Sequence, residues 1–112
     1  MAMATEYTPD APPRADVDAL QGPSVIEFGT NRCGYCKAAQ PLIAQAFNDH
    51  PDVRHLKIED GSGRPLGRSF RVKLWPTLIF LDNGREVARL VRPNAVSEIR
   101  DAFALIGQAS ST

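Results

Sequence analysis

The chain has 112 residues, 43% of them hydrophobic and 23% charged, with thirteen Lys and Arg against thirteen Asp and Glu. This composition fits one globular domain with its own core, and the even charge gives no reason to expect a nucleic-acid partner or a membrane surface. The first ten residues lack the basic start and apolar run of a secretory signal, and no apolar run is long enough to span a bilayer, so the expected location is the cytoplasm.

Residues 1–23 are rich in Pro, Ala and Asp and break at Gly22-Pro23, which predicts an extended arm with at most one helical turn around Asp16 to Leu20. Ser24 to Phe28 is a short run of β-forming residues, as expected of a strand buried on both faces, with Glu27 as its one charge. Asn31 to Asn48 reads as a helix, with Cys36, Ala39, Ile43, Ala46 and Phe47 at three- and four-residue steps and a kink expected at Pro41. Val53 to Ile58 is a second strand, and Arg64 to Phe70 a short helix with Pro65 in its first turn. Thr77 to Leu81 forms a third strand, and the Asn83-Gly84 turn returns Arg85 to Val91 antiparallel beside it. A last helix, capped by Asn94 or Ser97, reaches about Ile106, and residues 108–112 are expected to fray. The order β-α-β-α-β-β-α, with the domain proper at 24–107, predicts an α/β fold whose mixed sheet is covered by helices on both faces.

Cys33 and Cys36 stand where the first strand gives way to a helix. Their four-residue ring constrains little of an unfolded chain, so chemistry is a better reading than a structural staple. At a helix start the first sulfur meets unsatisfied backbone N–H groups that favour its thiolate, which makes Cys33 the attacking sulfur and Cys36, one turn inside, the resolving one. A competing pattern exists, because Cys33, Cys36, His50 and His55 spell a zinc-finger-like spacing. In a finger, however, the cysteines lie on a hairpin and both histidines on one helix, whereas here a helix starts at the cysteines and Pro51 separates the histidines. Gly61-Ser62-Gly63 with Gly67 imitates a nucleotide loop at the wrong spacing. No metal or bound cofactor is expected.

From about Ser24 to Phe103 the sequence resembles the thioredoxin family. The matching pieces are VIEF before the motif, CGYCK with Pro41 five residues after Cys36, WPTLIF opening a strand at Pro76-Thr77, and the Asn83-Gly84 hairpin. The resemblance implies a thioredoxin fold with a redox-active Cys33-Cys36 disulfide, in which Cys33 forms a mixed disulfide with a protein substrate and Cys36 releases the reduced product. It also implies a cis Pro76 facing the cysteines, with Trp75 against an extended substrate segment that adds as a strand. Glu27 matches the family's buried acid, usually an aspartate, that helps take the proton from the resolving thiol. Burial in an apolar strand predicts a raised pKa for it, and His55 on the next strand is a candidate partner.

Arg32 stands where the family usually has Trp, and Tyr35, after Gly34, replaces the proline of the common motif; a cationic Arg32 that favours the Cys33 thiolate and a helix start held without the proline predict a potential less reducing than a typical thioredoxin's. Gly-Tyr at this place resembles periplasmic disulfide isomerases, and Tyr before the second cysteine glutaredoxins, without an export signal or a convincing glutathione site. Around Val91-Arg92-Pro93 the family commonly has a glycine that admits the partner's chain. Arg92, Arg32 and Trp75 then form either a substrate-facing patch or ordinary solvated surface. The sequence thus predicts a monomeric protein-disulfide reductase supplied by a thioredoxin reductase or another thiol donor. The alternatives are isomerase or oxidant-like exchange, and a peptide-binding module with regulatory thiols.

Overall fold

The computed structural model describes the backbone of residues 6–110 and the side chains of residues 6–106. Strands β1 (Pro23–Gly29), β2 (Arg54–Glu59), β3 (Thr77–Asp82) and β4 (Arg85–Val91) form one sheet in the order β2-β1-β3-β4. β1 runs parallel to β2 and antiparallel to β3, and β3 pairs antiparallel with β4, so the sheet is mixed. Helices α1 (Arg14–Asp18), α2 (Gly34–Phe47), α3 (Pro65–Ser69) and α4 (Val96–Ser110) complete the fold. No helix among the described residues is long and apolar enough to cross a membrane.

Alternation along β1 and β3 decides which helices go where. Val25, Leu78 and Phe80 face α2 and α4, meeting Ala39, Ile43 and Phe47 from the first and Ile99, Phe103 and Ile106 from the second. Phe103 sets its edge against Phe47 and Phe80, with ring centroids 5.0 and 5.3 Å away. Ile26, Phe28, Ile79 and Leu81 point the other way and pack on Val17 of α1, Leu66 of α3 and Phe70. Each such fully buried side chain contributes roughly 1.5–3 kcal/mol of transfer free energy.

The hairpin forms as its residues demand. Asn83 (φ 51°) and Gly84 (φ 79°) both take the left-handed region that a two-residue turn requires. A side chain at 84 would also stand 2.0 Å from the Asp18 carbonyl oxygen, so this glycine is fixed by space as well as by conformation.

Three boundaries differ from expectation. α2 begins at Gly34 rather than Asn31, because Cys33 is extended (φ −80°, ψ 121°) and caps the helix. The helix then passes through Pro41 without ending. α4 continues to Ser110, so residues 108–110, expected to fray, are helical, while residues 111–112 lie outside the described residues.

The third difference concerns the segment before Pro23, of which residues 1–5 lie outside the description. Its helical turn comes at Arg14–Asp18, earlier than expected. Arg14 holds that turn by lying 3.7 Å over the Phe70 ring and donating to the Ser69 carbonyl at 2.8 Å. Further upstream, Thr8 bridges in parallel to Ile58 along the outer edge of β2, donating to the Lys57 carbonyl at 2.9 Å and accepting from Glu59 N–H at 2.8 Å. This pairing turns Tyr7 inward, where it is 5% exposed.

Candidate active site

The N-terminus of α2 presents the two sulfurs differently. Cys33 is half-buried, and its Sγ accepts the Cys36 N–H at 3.2 Å, so a sulfur does the work usually done by a Ser or Asp cap. Cys36, one turn on, is 1% exposed. Burial, then the neighbouring Cys33 sulfur, pushes the Cys36 thiol up from 9.0 to about 11, against the lowering effect of hydrogen bonds with Thr30 and Tyr7. No disulfide joins the pair in this structure. Gly34 opens the helix with open space around it, and Tyr35 is 60% exposed.

Beneath Cys36, on the face shared with α2, lies a buried polar cluster centred on Glu27. β1 turns Glu27 toward α2 because it alternates with Ile26 and Phe28, and the parallel pairing of β1 with β2 brings His55 and Lys57 to the same side. His55 Nε2 is 2.9 Å from Glu27 Oε1, and Gln40 Nε2 donates to Glu27 Oε2 at 2.9 Å and to the Cys36 carbonyl at 2.9 Å. The Tyr7 hydroxyl donates a hydrogen bond to the same Oε2. Lys57 Nζ donates to Gln40 Oε1 at 2.7 Å and lies 4.5 Å over the Tyr7 ring.

These contacts correct the expectation of a raised Glu27 pKa. Burial alone acts in that direction, but hydrogen bonds from His55, Tyr7 and Gln40 to the charged form outweigh it and hold the carboxyl below its ordinary 4.5. Glu27 is therefore a carboxylate at neutral pH. The Glu27 charge acts in turn on Tyr7, which burial first and then Glu27 hold in its neutral form by driving its pKa upward.

The third component is the loop before β3. The Trp75-Pro76 peptide bond is cis, and the Trp75 carbonyl oxygen lies 4.0 Å from Cys33 Sγ. Trp75 is steered by its indole N–H, which donates to Asp60 Oδ2 at 2.8 Å. Asp60 in turn fits only because residue 67 is glycine: a Cβ there would stand 2.1 Å from Asp60 Oδ1. Arg92, at φ 51°, takes a left-handed conformation that costs a non-glycine residue roughly 1–2 kcal/mol. Offsetting this, its N–H donates to the Pro76 carbonyl at 2.9 Å, its Nε to the Trp75 carbonyl at 2.9 Å, and its guanidinium lies 3.8 Å over the Tyr35 ring. Arg92, Tyr35 and Trp75 thus form one contact group. Arg32 is exposed and lines a separate hollow with Glu59 and Asp60.

The two histidines of the zinc-like spacing are engaged elsewhere, His55 with Glu27 and His50 stacked on Phe103 at 4.1 Å. Among the described residues, no three His, Cys, Asp or Glu side chains are grouped to hold a metal ion.

The family model described as Thioredoxin matches residues 8–104. The chain belongs to the thioredoxin family. Thioredoxins are thiol-disulfide oxidoreductases, and the pair of cysteines two residues apart is present here as Cys33 and Cys36. The structure of thioredoxin 2 from Pseudomonas aeruginosa PAO1 in its reduced form is 58% identical, covers 95% of this chain and 99% of its own, and superposes with a TM-score of 0.84. Among curated relatives, Thioredoxin-2 of Saccharomyces cerevisiae is 31% identical over 71% of this chain and 76% of its own length. Thioredoxin H2-1 of Oryza sativa subsp. japonica is 33% identical over 60% of this chain and 49% of its own length, so the match spans about half of that relative.

Within the thioredoxin frame, sequence reasoning missed Tyr7, Gln40 and Asp60. Gln40 had a usable signal, since it falls one helical turn after Cys36 on the side that faces β1. Tyr7 had none, because only the pairing of Thr8 with β2 turns it inward.

Proposed function

We propose that this chain reduces disulfides in protein substrates through a Cys33-Cys36 dithiol/disulfide cycle. The observation that carries the reading is the asymmetry of the two sulfurs: Cys33 is reachable at the helix cap beside the Trp75 carbonyl, and Cys36 is sealed behind it next to a buried carboxylate. The Cys33 thiolate attacks one sulfur of the substrate disulfide. That S–S bond breaks, the freed substrate thiolate takes a proton from solvent, and a mixed disulfide remains. Cys36 then loses its proton, with Glu27 as the acceptor, and attacks the Cys33 sulfur. The second substrate thiolate leaves, and Cys33 and Cys36 end as a disulfide, oxidised by two electrons while the substrate disulfide is reduced.

The substrate segment lies along Trp75-Pro76 as an added strand, against Gly34 and Tyr35. Arg92 already donates to the Trp75 carbonyl, so an incoming backbone N–H competes with it there. Arg32 supplies positive charge beside Cys33. The cycle needs no resident cofactor, only the cysteine pair and electrons from a thioredoxin reductase or another thiol donor. The protein acts as a monomer in the cytoplasm.

Dithiothreitol-coupled reduction of insulin by wild type and Cys33→Ser tests the assignment. Removing the nucleophile should take the rate to the uncatalysed background. Comparable rates for the two proteins would falsify it and leave a binding module with bystander thiols.

A further inference from the structure

The proposed cycle leaves a gap between the proton donor and its acceptor. Cys36 must give up a proton to attack Cys33, and Glu27 is the nearby carboxylate, and the hydroxyl that bonds the carboxylate on the side of the Cys36 sulfur is that of Tyr7. Its hydroxyl donates to Glu27 Oε2. The same hydroxyl and the Cys36 sulfur converge above Gly29, where a Cβ would stand 2.8 Å from Tyr7 Oη and 2.6 Å from Cys36 Sγ. Both side chains also line one groove, and each shifts the ionisation of the other. We propose that Tyr7 is the proton relay of the resolving step, passing its hydroxyl proton to Glu27 as it takes the proton of Cys36.

The proposal rests on the reductase reading and adds a residue to it. As the Cys36 sulfur closes on the Cys33 sulfur, the S–H proton moves to the Tyr7 oxygen and the Tyr7 proton moves to Glu27 Oε2. The Cys33–substrate bond breaks, and the substrate leaves as a thiolate that is protonated by solvent. Tyr7 is a neutral phenol before and after, while negative charge has passed from Glu27 to sulfur and out with the product. Because Cys36 is a far weaker acid than Glu27, the transfer is uphill alone and proceeds only together with S–S bond formation. Glu27 afterwards releases its proton through Tyr7 to an open groove of about 330 Å³ in which Tyr7 and Cys36 are both lining residues.

Tyr7 is held for this work at two points. Its own N–H donates to Asn31 Oδ1 at 3.2 Å, and the pairing of Thr8 with β2 fixes the next residue. The charged groups around it are Glu27 from β1, Cys36 from α2 and Lys57 from β2, with His55 behind Glu27 and Glu6 and Lys37 at the groove mouth. Lys57 over the ring favours the electron-rich phenol face and donates to Gln40.

Rapid mixing of the reduced protein with an aromatic disulfide whose released thiolate is coloured separates the steps, since the first equivalent of colour reports capture by Cys33 and the second reports resolution by Cys36. In Tyr7→Phe, which keeps the ring, resolution near pH 7 should slow by on the order of a hundredfold. The deficit should shrink as pH rises into the alkaline range, where Cys36 ionises without help. Wild-type resolution should also slow in heavy water more than capture does. Resolution at the wild-type rate in Tyr7→Phe, equal slowing of both phases at every pH, or heavy-water slowing of resolution no greater than that of capture would each overturn the relay. Loss of the first phase in the wild type would instead sink the reductase reading beneath it.

Discussion

Neighbouring residues of β1 serve opposite ends. Ile26 and Phe28 point into an oily layer made with Ile58, Ile79, Leu81, Val17, Leu66 and Phe70. Glu27, between them and equally buried, points into a cluster of Tyr7, Gln40, His55 and Cys36 that is held by hydrogen bonds rather than by contact area. The apolar layer is tolerant of pH and intolerant of lost volume. The polar cluster carries desolvated groups whose protonation states are tied to one another, so it holds its shape only within a range of pH. One strand thus supplies both the anchor of the fold and the electrostatics of its reactive site.

The largest separation between the two faces should come from Phe28→Ala. Truncating a phenylalanine with no exposed surface should cost about 3–5 kcal/mol in urea unfolding, while the protein that remains folded still reduces disulfides. A loss under 1 kcal/mol would mean that this layer can collapse around the gap and does not anchor the sheet. Gly29→Ala addresses the polar side with a single added methyl. The new Cβ would meet Cys36 Sγ at 2.6 Å and the Tyr7 ring and hydroxyl at 2.8 Å, so one of them must move. Overpacking of this kind costs roughly 1–3 kcal/mol. Its mark should be selective: the second phase of disulfide reduction falls more than the first. A variant with wild-type kinetics in both phases would show that the spacing above Gly29 does not matter.

The same contrast explains what could be read from the sequence. The apolar half was legible almost residue by residue, because alternation in SVIEF and TLIFL and the helical steps of Ala39, Ile43 and Phe47 each follow from one local period. Asn83-Gly84 likewise announces itself through backbone chemistry, whereas the cis bond at Pro76 was readable only through the family resemblance. The cysteine pair was legible as a motif, and Glu27 as the lone charge in a strand. What the local patterns did not contain was the direction of the Glu27 shift. Burial, visible from the strand, argues one way, and three hydrogen bonds from residues 20, 13 and 28 positions distant argue the other and win. Nor did they show that the segment before Pro23 closes the site, since Thr8 pairs with Ile58 and brings Tyr7 under Cys36 across fifty residues of chain. Arg92 is a related case: a bulky residue in a place suited to glycine reads as an obstruction until its bonds to the Pro76 and Trp75 carbonyls are seen.

The smallest effect expected is also the one that tests the pH range of the cluster. Glu27 has its folded pKa lowered from an ordinary 4.5, so it stabilises the fold fully above that value and surrenders the contribution as pH falls through the lower folded value. Cys36 has its pKa raised from 9.0 to about 11, and Tyr7 is raised from 10.0, so these two stabilise the reduced protein below their ordinary values and the contribution drains away as pH climbs past about 9. Urea midpoints of the reduced protein should therefore form a plateau that falls at both ends. Glu27→Gln, which cannot titrate, should flatten the acid limb, and Cys36→Ser should flatten part of the alkaline one. The apolar face offers a control, since Ile26→Val should lower the whole curve by about 0.5–1.5 kcal/mol without changing its shape. Midpoints that fall in parallel for wild type, Glu27→Gln and Cys36→Ser would locate the pH sensitivity outside the cluster and remove the distinction between the two sides of β1.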